Sequence, residues 1–254
     1  MGLDIGCLAS PLPISFSGGP VTVILVHGFT GSPAELRLLA EACHQRGFAV
    51  EVPLLDGHGT VLDDLVPMKP QRWIDQLDAV IRTQLQRGQQ VVLGGLSMGS
   101  ILALQASMRW PEIQGLMLYA PPISSRDLRR FLAPLLTRLV TSVAKPPSDY
   151  VDPSTAERLW AYDRYPVICS SLVLQMIARV RRELRSVTSP MLVIASHRDN
   201  VVSAKGVDLL LRRVSSPVKQ VLWLERSSHA VTADGEWRLV CERSLSFLDS
   251  LQLG

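Results

Sequence analysis

Cysteine and an excess of charge are both scarce in this 254-residue chain. The four cysteines are widely scattered, with none at the Cys-x-x-Cys spacing of a metal or redox site: Cys7, Cys43, Cys169 and Cys241. They would make a thin disulfide framework for a chain of this length, so we expect free thiols in a reducing compartment. The net charge is only +3. Nucleic-acid-binding proteins usually carry a dense basic patch, and so small an excess of positive charge does not indicate one. We therefore expect no nucleic-acid partner.

A secretion signal, a long apolar run and cofactor motifs are missing as well. The first 19 residues have no basic start followed by an apolar run, and no run elsewhere reaches membrane-spanning length. We expect a cytoplasmic protein with at most a transient contact with membrane surfaces. No Gly-x-Gly-x-x-Gly element or P-loop occurs, and the close pair Asp56 and His58 is too small a set for a metal site. We expect no cofactor and no metal.

Apolar residues are abundant and regularly arranged. They make up 47% of the chain, enough for one core, and form short β-like runs that alternate with longer helical patterns. This order predicts an α/β fold, a mostly parallel sheet flanked by helices. We predict core strands at 21–26, 48–52, 90–94, 113–119, 190–196 and 218–224, and an edge strand at 14–16. Helices are predicted at 71–87, 98–109, 205–213 and 236–251, and in a further segment with Ser32 as N-cap, Pro33 at the first helical position and Glu35 at N3.

Residues 121–188 break this alternation, because no convincing buried strand occurs among them. Amphipathic runs occupy 128–143, 154–160 and 166–184, and the segment is too long for an ordinary connection between strands. We predict helices laid over one end of the sheet. The predicted domains are an α/β core formed by 1–120 and 189–254, and a small helical cap at 121–188 inserted before the last two core strands.

The segment Gly95-Leu96-Ser97-Met98-Gly99 directly follows a predicted strand and directly precedes a predicted helix. This is the context in which Gly-x-Ser-x-Gly forms a nucleophile elbow. The serine then occupies a strained turn that lifts its hydroxyl above the sheet edge, and larger side chains beside it would collide with the strand or the helix. The pattern predicts Ser97 as a catalytic nucleophile, against the alternative of a plain turn with small residues.

A nucleophilic serine needs a base, and His197 and His229 are the histidines that follow Ser97 in the chain. His229 lies in a loop after the strand predicted at 218–224, and open parallel sheets place their sites at the carboxyl ends of strands. His197 ends its own strand and is the competing candidate. We predict His229 as the base.

The base in turn needs a carboxylate that orients it. Asp199 is the first acid after the strand predicted at 190–196. Asp208 falls inside a helical pattern, and Asp234 lies too close after His229 for the usual chain order but suits a helix cap. We therefore predict Asp199 as the orienting carboxylate.

Acyl transfer also needs N–H donors for the oxyanion that forms at the substrate carbonyl. The N–H of Met98, the residue after the nucleophile, is the first predicted donor. The second is expected from the loop after the first core strand, where Gly28 permits a sharp turn and Phe29 provides its N–H. His27 is interpreted as a hydrogen-bonding scaffold residue rather than a catalyst.

Four spaced motifs together resemble the bacterial carboxylesterase and monoacylglycerol lipase group of α/β-hydrolases: Val26-His27-Gly28-Phe29-Thr30-Gly31, Gly57-His58-Gly59-Thr60, Gly94-Gly95-Leu96-Ser97-Met98-Gly99 and Ser228-His229-Ala230-Val231-Thr232. The likeness extends from about residue 13 to 251 and is weakest from 123 to about 185. It implies an α/β-hydrolase fold with a small cap, and hydrolysis of carboxylic esters, especially monoacylglycerols or short-to-medium acyl esters. It also implies a catalytic set with Ser97, Asp199 and His229 as the triad, and Phe29 and Met98 as the oxyanion amides. Ser100 stands where related sequences often have glycine, and no loss is expected from so small a residue.

The predicted function is therefore serine hydrolysis of a small-molecule ester, with an apolar acyl chain, through an acyl-enzyme intermediate. Apolar cap residues are expected to shield the acyl chain, with ordinary packing between cap and core as an equal alternative: Leu132, Leu136, Val167 and Ile168. A thioesterase or carbon–carbon bond hydrolase on the same fold is the alternative function. A non-catalytic binding protein is less favoured, because a pure binder does not need the Ser, Asp and His set.

Overall fold

The strands form a framework that the sequence predicts closely. In the computed structural model, which describes residues 9–124 and 140–253, the strands are β1 Ile14–Phe16, β2 Val21–Val26, β3 Ala49–Val52, β4 Gln90–Leu96, β5 Ile113–Tyr119, β6 Ser142–Ala144, β7 Arg164–Pro166, β8 Met191–Ser196 and β9 Lys219–Leu224. Seven of them form one sheet in the order β1-β3-β2-β4-β5-β8-β9. Each neighbouring pair is parallel except β1 with β3. The predicted mostly parallel sheet with an edge strand at 14–16 is confirmed.

Helices cover this sheet, and their bounds are α1 Arg37–Gln45, α2 Leu62–Leu65, α3 Pro70–Gln86, α4 Met98–Ser107, α5 Thr155–Arg158, α6 Val167–Glu183, α7 Ala204–Arg213 and α8 Trp237–Ser250. Short 3-10 turns occupy Pro33–Leu36 and Leu184–Ser186. Every residue of β2 and β8 is buried, as expected for parallel strands covered on both faces. Every residue of α4 is buried too, so the helix that follows Ser97 is enclosed on all sides.

The start of α1 differs from its prediction in the bonds that its first side chains make. Ser32 precedes the 3-10 turn and Pro33 opens it, as predicted. However, Ser32 Oγ donates to Trp160 O at 2.9 Å instead of capping the turn, and Glu35 Oε2 accepts from Gly28 N at 2.7 Å. Both side chains have partners outside the turn, which a local capping pattern does not contain.

The insertion after β5 is only partly helical where it is described. The run predicted at 128–143 falls mostly on residues 125–139, which lie outside the described part of the chain. Its described end is strand β6, antiparallel to β7, so the helical prediction is wrong there. Lys145 and Tyr165 each precede a proline, and the residue before a proline is biased toward extended backbone. The predicted helices at 154–160 and 166–184 correspond to α5 and α6, and α6 packs against α3 and α4 of the core.

The parallel arrangement brings the loops after β2, β4, β8 and β9 to one edge of the sheet. These loops, with the first residue of α4, carry the predicted site residues: Phe29, Ser97, Met98, Asp199 and His229. None of the helices in residues 9–124 and 140–253 combines the length and the hydropathy of a membrane span.

Candidate active site

Ser97 occupies a strained turn between β4 and α4. Its backbone angles are φ 53° and ψ −115°, a region that L-residues rarely adopt. The turn is held by the bond from Ser97 N to Tyr119 O, at 2.9 Å, on the neighbouring strand β5. Ser97 as a whole is half-buried, whereas its neighbours Leu96 and Met98 are buried.

The glycine that follows two residues later is required by close packing. A Cβ on Gly99 would collide with the backbone of Val26 and His27 at the end of β2. The elbow and the loop after β2 therefore lie directly against each other. A Cβ on Gly28 would lie 3.6 Å from Ser97 Cβ, which places that loop beside the serine.

Ser100, the residue that departs from the pattern of related sequences, has a defined role in this turn. Its buried hydroxyl lies 2.5 Å from Gly95 O and 3.0 Å from Tyr119 O. One side chain thus links the start of α4 to both strands beside the elbow. A glycine at this position would lack these bonds.

Asp199 and His229 are joined by a hydrogen bond of 2.7 Å between Oδ2 and Nδ1. The carboxylate is buried, and its Oδ1 accepts from Val201 N at 2.6 Å and from Val202 N at 2.9 Å. Burial alone would raise the pKa of Asp199, but the charge and hydrogen bond of His229, with these two N–H groups, hold the pKa below its ordinary value. An ionised Asp199 accepts from Nδ1–H, which leaves Nε2 as the basic nitrogen of His229.

The competing candidates lie in different surroundings. His197 stacks on Trp223 with ring centroids 4.6 Å apart, and its Nε2 lies 3.6 Å from Glu225 Oε1 at the surface. Asp208 is exposed on α7. Of the two histidines considered, the structure brings His229 to Asp199.

Asp234 does not cap a helix, so that expectation is wrong. The residue at the N-cap of α8 is Glu236. The buried carboxylate of Asp234 instead accepts from donors on both sides of it: Val151 N, Asp152 N, Thr155 Oγ1, Ser228 N and Gly235 N. Donors from the insertion are outside the local sequence, and a capping pattern cannot reveal them.

His27 holds the loop that contains Phe29. Leu55 N donates to His27 Nε2 at 3.1 Å, so the ring proton is on Nδ1, which donates to Gly28 O at 2.9 Å. Burial and the nearby His58 hold the pKa of His27 well below its ordinary value, so the ring stays neutral. The interpretation of His27 as a scaffold residue is confirmed. It fixes the carbonyl of the peptide whose N–H belongs to Phe29.

Two N–H groups are available beside Ser97. The Met98 N–H is at the first position of α4, where helix N–H groups have no intrahelical acceptor. Within residues 9–124 and 140–253, no acceptor pairs with the Phe29 N–H. The backbone therefore offers donors on two sides of the serine.

Sequence patterns do not predict several residues next to the site, and two of them, Lys145 and Tyr165, come from the insertion. The Tyr165 ring stacks on Phe29 with centroids 6.2 Å apart and an interplanar angle of 10°, and Lys145 Nζ lies 5.0 Å from the Tyr165 ring centroid. Glu35, which the local pattern predicts to be a helix-start residue, faces the loop at Gly28. No local signal distinguishes these residues from ordinary surface positions.

Other predicted residues contribute less to the description of the site. Leu132 and Leu136 lie outside the described residues, Val167 is buried and Ile168 is 47% exposed.

The cysteines do not form a site in the described residues. Cys43, Cys169 and Cys241 are free and buried, whereas Cys7 lies outside the described ranges. In the part of the chain that the structure describes, no group of three or more His, Cys, Asp or Glu residues is placed to hold a metal ion.

Comparison with known proteins assigns the family. Residues 21–236 match the family described as serine aminopeptidase, S33. The chain belongs to this family.

Its relatives are ester hydrolases by name. A thermostable monoacylglycerol lipase from Bacillus sp. (strain H-257) is 31% identical over 245 residues, covering 94% of this chain and 95% of the relative. A carboxylesterase from Bacillus subtilis (strain 168) is 26% identical, covering 96% and 98% of the two chains. The resemblance to carboxylesterases and monoacylglycerol lipases is therefore confirmed.

Solved structures agree in fold. A structure from work on LipS and LipT, two metagenome-derived lipolytic enzymes, has a TM-score of 0.89 at 29% identity, covering 95% of this chain and 98% of that chain. A soluble variant of monoglyceride lipase from Saccharomyces cerevisiae, in complex with a substrate analog, has a TM-score of 0.82 at 15% identity, covering 94% and 90%. The α/β-hydrolase fold is confirmed by these likenesses.

Proposed function

We propose that the protein hydrolyses carboxylic esters of small molecules, with Ser97, Asp199 and His229 as its catalytic triad. The hydrogen bond between the buried Asp199 carboxylate and His229 Nδ1 carries this proposal, because it orients a basic nitrogen at the same sheet edge as the strained Ser97 turn. The intact pairing favours an enzyme over a non-catalytic binding protein.

The mechanism follows from these groups. His229 Nε2 takes the proton of Ser97 Oγ as the oxygen attacks the ester carbonyl, and Asp199 stabilises the resulting imidazolium. The N–H groups of Phe29 and Met98 donate to the oxyanion. The alcohol leaves with the proton from His229, and a water activated by His229 then releases the acid from Ser97.

Substrate and domain roles belong to the same proposal. We propose a monoacylglycerol or a short-to-medium acyl ester as substrate, since two relatives are named a monoacylglycerol lipase and a carboxylesterase.

Residues 121–188 would act as a cap on the core formed by 1–120 and 189–254, because Tyr165 of the insertion packs on Phe29. The three buried free thiols favour a cytoplasmic location. Any membrane contact would be transient and at the surface.

Hydrolysis of p-nitrophenyl esters of graded acyl length and of a 1-monoacylglycerol tests the proposal. A thioester, a diketone and an amino-acid p-nitroanilide complete the panel, and we expect the esters to be preferred. Ser97→Ala should abolish turnover and labelling by a fluorophosphonate probe, with the adduct of the native protein mapped to Ser97 by mass spectrometry.

A matched control is available in the same helix. Ser107 is also buried in α4, and among the described residues its hydroxyl bonds Leu104 O alone, at 2.9 Å, so Ser107→Ala should keep labelling and turnover. Substantial ester turnover by Ser97→Ala would refute the assignment.

A further inference from the structure

The carboxylate of Glu35 lies inside the loop that carries one oxyanion donor. Its Oε2 accepts from Gly28 N at 2.7 Å, and a Cβ on Gly31 would collide with the carboxylate. A Cβ on Gly28 would lie 3.2 Å from Glu35 Oε2 and 3.6 Å from Ser97 Cβ. Glu35 is thus separated from the proposed nucleophile by little more than the width of the loop backbone.

Glu35 and His27 together hold two consecutive peptide groups. Glu35 holds the N–H of Gly28, and His27 Nδ1 holds the carbonyl of the same residue. The Phe29 N–H belongs to the same planar peptide as the Gly28 carbonyl, so it points opposite to the bond that His27 makes. Thr232 Oγ1 also donates to Glu35 O at 2.6 Å, which ties this segment to the loop of His229.

The charge of Glu35 is unexpected in this place. Negative charge near a developing oxyanion disfavours it, and partial burial weakens solvent screening. Burial raises the pKa of Glu35, and the Gly28 N–H, Lys145 and His229 offset only part of that rise. A carboxyl group accepts from Gly28 N in either protonation state, so the bond does not require the charge.

Lys145 of the insertion is the positive side chain placed to offset this charge. Its Nζ lies 5.0 Å from the Tyr165 ring centroid, and that ring stacks on Phe29. Burial lowers the pKa of Lys145, and the charges of Glu35 and Asp163 act in the opposite direction. In the described part of the chain, the titratable groups that face Glu35 are Lys145, His229 and Tyr150.

We propose that Glu35 positions the oxyanion loop through its acceptor oxygen, while Lys145 of the insertion offsets the charge that Glu35 would otherwise set against the oxyanion. This rests on the proposed ester hydrolysis by Ser97. Glu35 is a positioning residue, because it acts through the Gly28 and Phe29 peptides and touches no reacting atom. The insertion thereby contributes a charge to the core site as well as covering it.

The acceptor role is tested by two substitutions of Glu35 measured with one p-nitrophenyl ester. Glu35→Gln keeps an acceptor oxygen and removes the charge, so kcat should stay within about threefold of the native value or rise. Glu35→Leu removes the acceptor, and kcat should fall about 10- to 100-fold, less than the full loss of an oxyanion donor, with KM changed much less. Glu41→Gln is the matched control, since Glu41 is a half-buried carboxylate on α1 that pairs with Arg37 at 3.9 Å. Equal losses in the Gln and Leu variants, or native kcat in Glu35→Leu, would overturn the role.

The charge role is tested by Lys145→Met in the native and the Glu35→Gln backgrounds, which remains informative if Glu35→Leu fails to fold. With Glu35 present, Lys145→Met should lower kcat about three- to tenfold, and in the Glu35→Gln background it should lower kcat hardly at all. The ratio of kcat for Glu35→Gln to native kcat should rise with pH as Glu35 ionises, because only the native protein then gains a negative charge beside the oxyanion loop. An equal fall in kcat on Lys145→Met in both backgrounds would refute the charge role of Lys145.

Failure of this proposal can be told from failure of the proposed function. An inactive Ser97→Ala together with native kcat in Glu35→Leu would refute only the Glu35 proposal, whereas an active Ser97→Ala would refute the proposed function itself.

Discussion

The carboxylate of Asp234 accepts a hydrogen bond of 2.7 Å from the N–H of Ser228, the residue before His229. The same carboxylate accepts from Val151 N and Asp152 N in the insertion. One buried side chain therefore bonds both the loop of the proposed base and residues 151–152 of the insertion. We therefore expect the placement of His229 to depend on this carboxylate.

Replacing Asp234 tests this connection. Asp234→Asn exchanges one acceptor oxygen for an NH₂ group that faces N–H donors, so we expect a loss of about 2–4 kcal/mol in the free energy of unfolding. This corresponds to a fall in Tm of roughly 4–16 °C for a chain of this size, together with a lower kcat. Thermal denaturation followed by circular dichroism measures the first and ester turnover the second. Asp208→Asn, on the exposed face of α7, is the control, and an unchanged Tm for Asp234→Asn would contradict the role.

The stability of the protein should fall steeply in acid. The pKa of Asp199 and that of Asp234 are both held below the ordinary value: for Asp234, the N–H donors outweigh burial, which acts in the opposite direction. In the unfolded chain these aspartates have the ordinary pKa of about 3.9, so as the pH falls they take up protons in the unfolded chain before they do so in the folded one. The free energy of unfolding therefore decreases as the pH falls from about 3.9 through the lower pKa values of the folded protein. Tm measured from about pH 6 to pH 3 should show this decline. The decline should be shallower in Asp234→Asn, and an identical slope in both proteins would disprove the assignment.

Asp199→Asn should separate catalysis from folding. The amide oxygen can keep the bonds from Val201 N and Val202 N, while the NH₂ group faces His229 Nδ1 and forces its proton onto Nε2. A base with its proton on Nε2 cannot accept from Ser97, so kcat should fall about 10³- to 10⁴-fold while Tm changes little. His197→Gln is the matched control and should leave kcat unchanged. A kcat within tenfold of the native value in Asp199→Asn would show that another group orients the base.

Ser100 should matter for stability more than its size suggests. Ser100→Ala removes the bonds to Gly95 O and Tyr119 O, and we expect a cost of about 1–3 kcal/mol. Ser100→Gly should cost about 1 kcal/mol more, because glycine is unfavourable inside a helix. Urea denaturation measures both, with Ser107→Ala as the single-bond control. A native midpoint for Ser100→Ala would mean that the hydroxyl contributes nothing to the elbow.

The sheet and its edge follow from local patterns. Buried apolar runs predict β2 and β8, because a strand covered on both faces must be apolar along its whole length. The bounds of all the predicted strands agree with the structure within two residues. Chain order then places Ser97, Asp199 and His229 after strands β4, β8 and β9, and parallel strands end at the same edge. The motif around Ser97 predicts a strained turn, and the structure has φ 53° there.

The partners of Glu35, Asp234 and Ser32 follow no local pattern. The sequence alone predicts all three to be helix-start or cap residues, since such side chains bond nearby backbone when nothing else competes. In the folded chain, Glu35 bonds Gly28, Asp234 bonds the insertion, and Ser32 bonds Trp160, which is 128 residues away.

Local sequence therefore determines the strands, the elbow and the identity of the proposed triad, because each depends on periodicity or on spacing along the chain. The folded structure decides which charges surround that triad. Lys145 belongs to the insertion, and Asp234 bonds Val151 N of the insertion, so these contacts form only when the insertion packs on the core. A buried polar group bonds whichever donor or acceptor packing brings within reach.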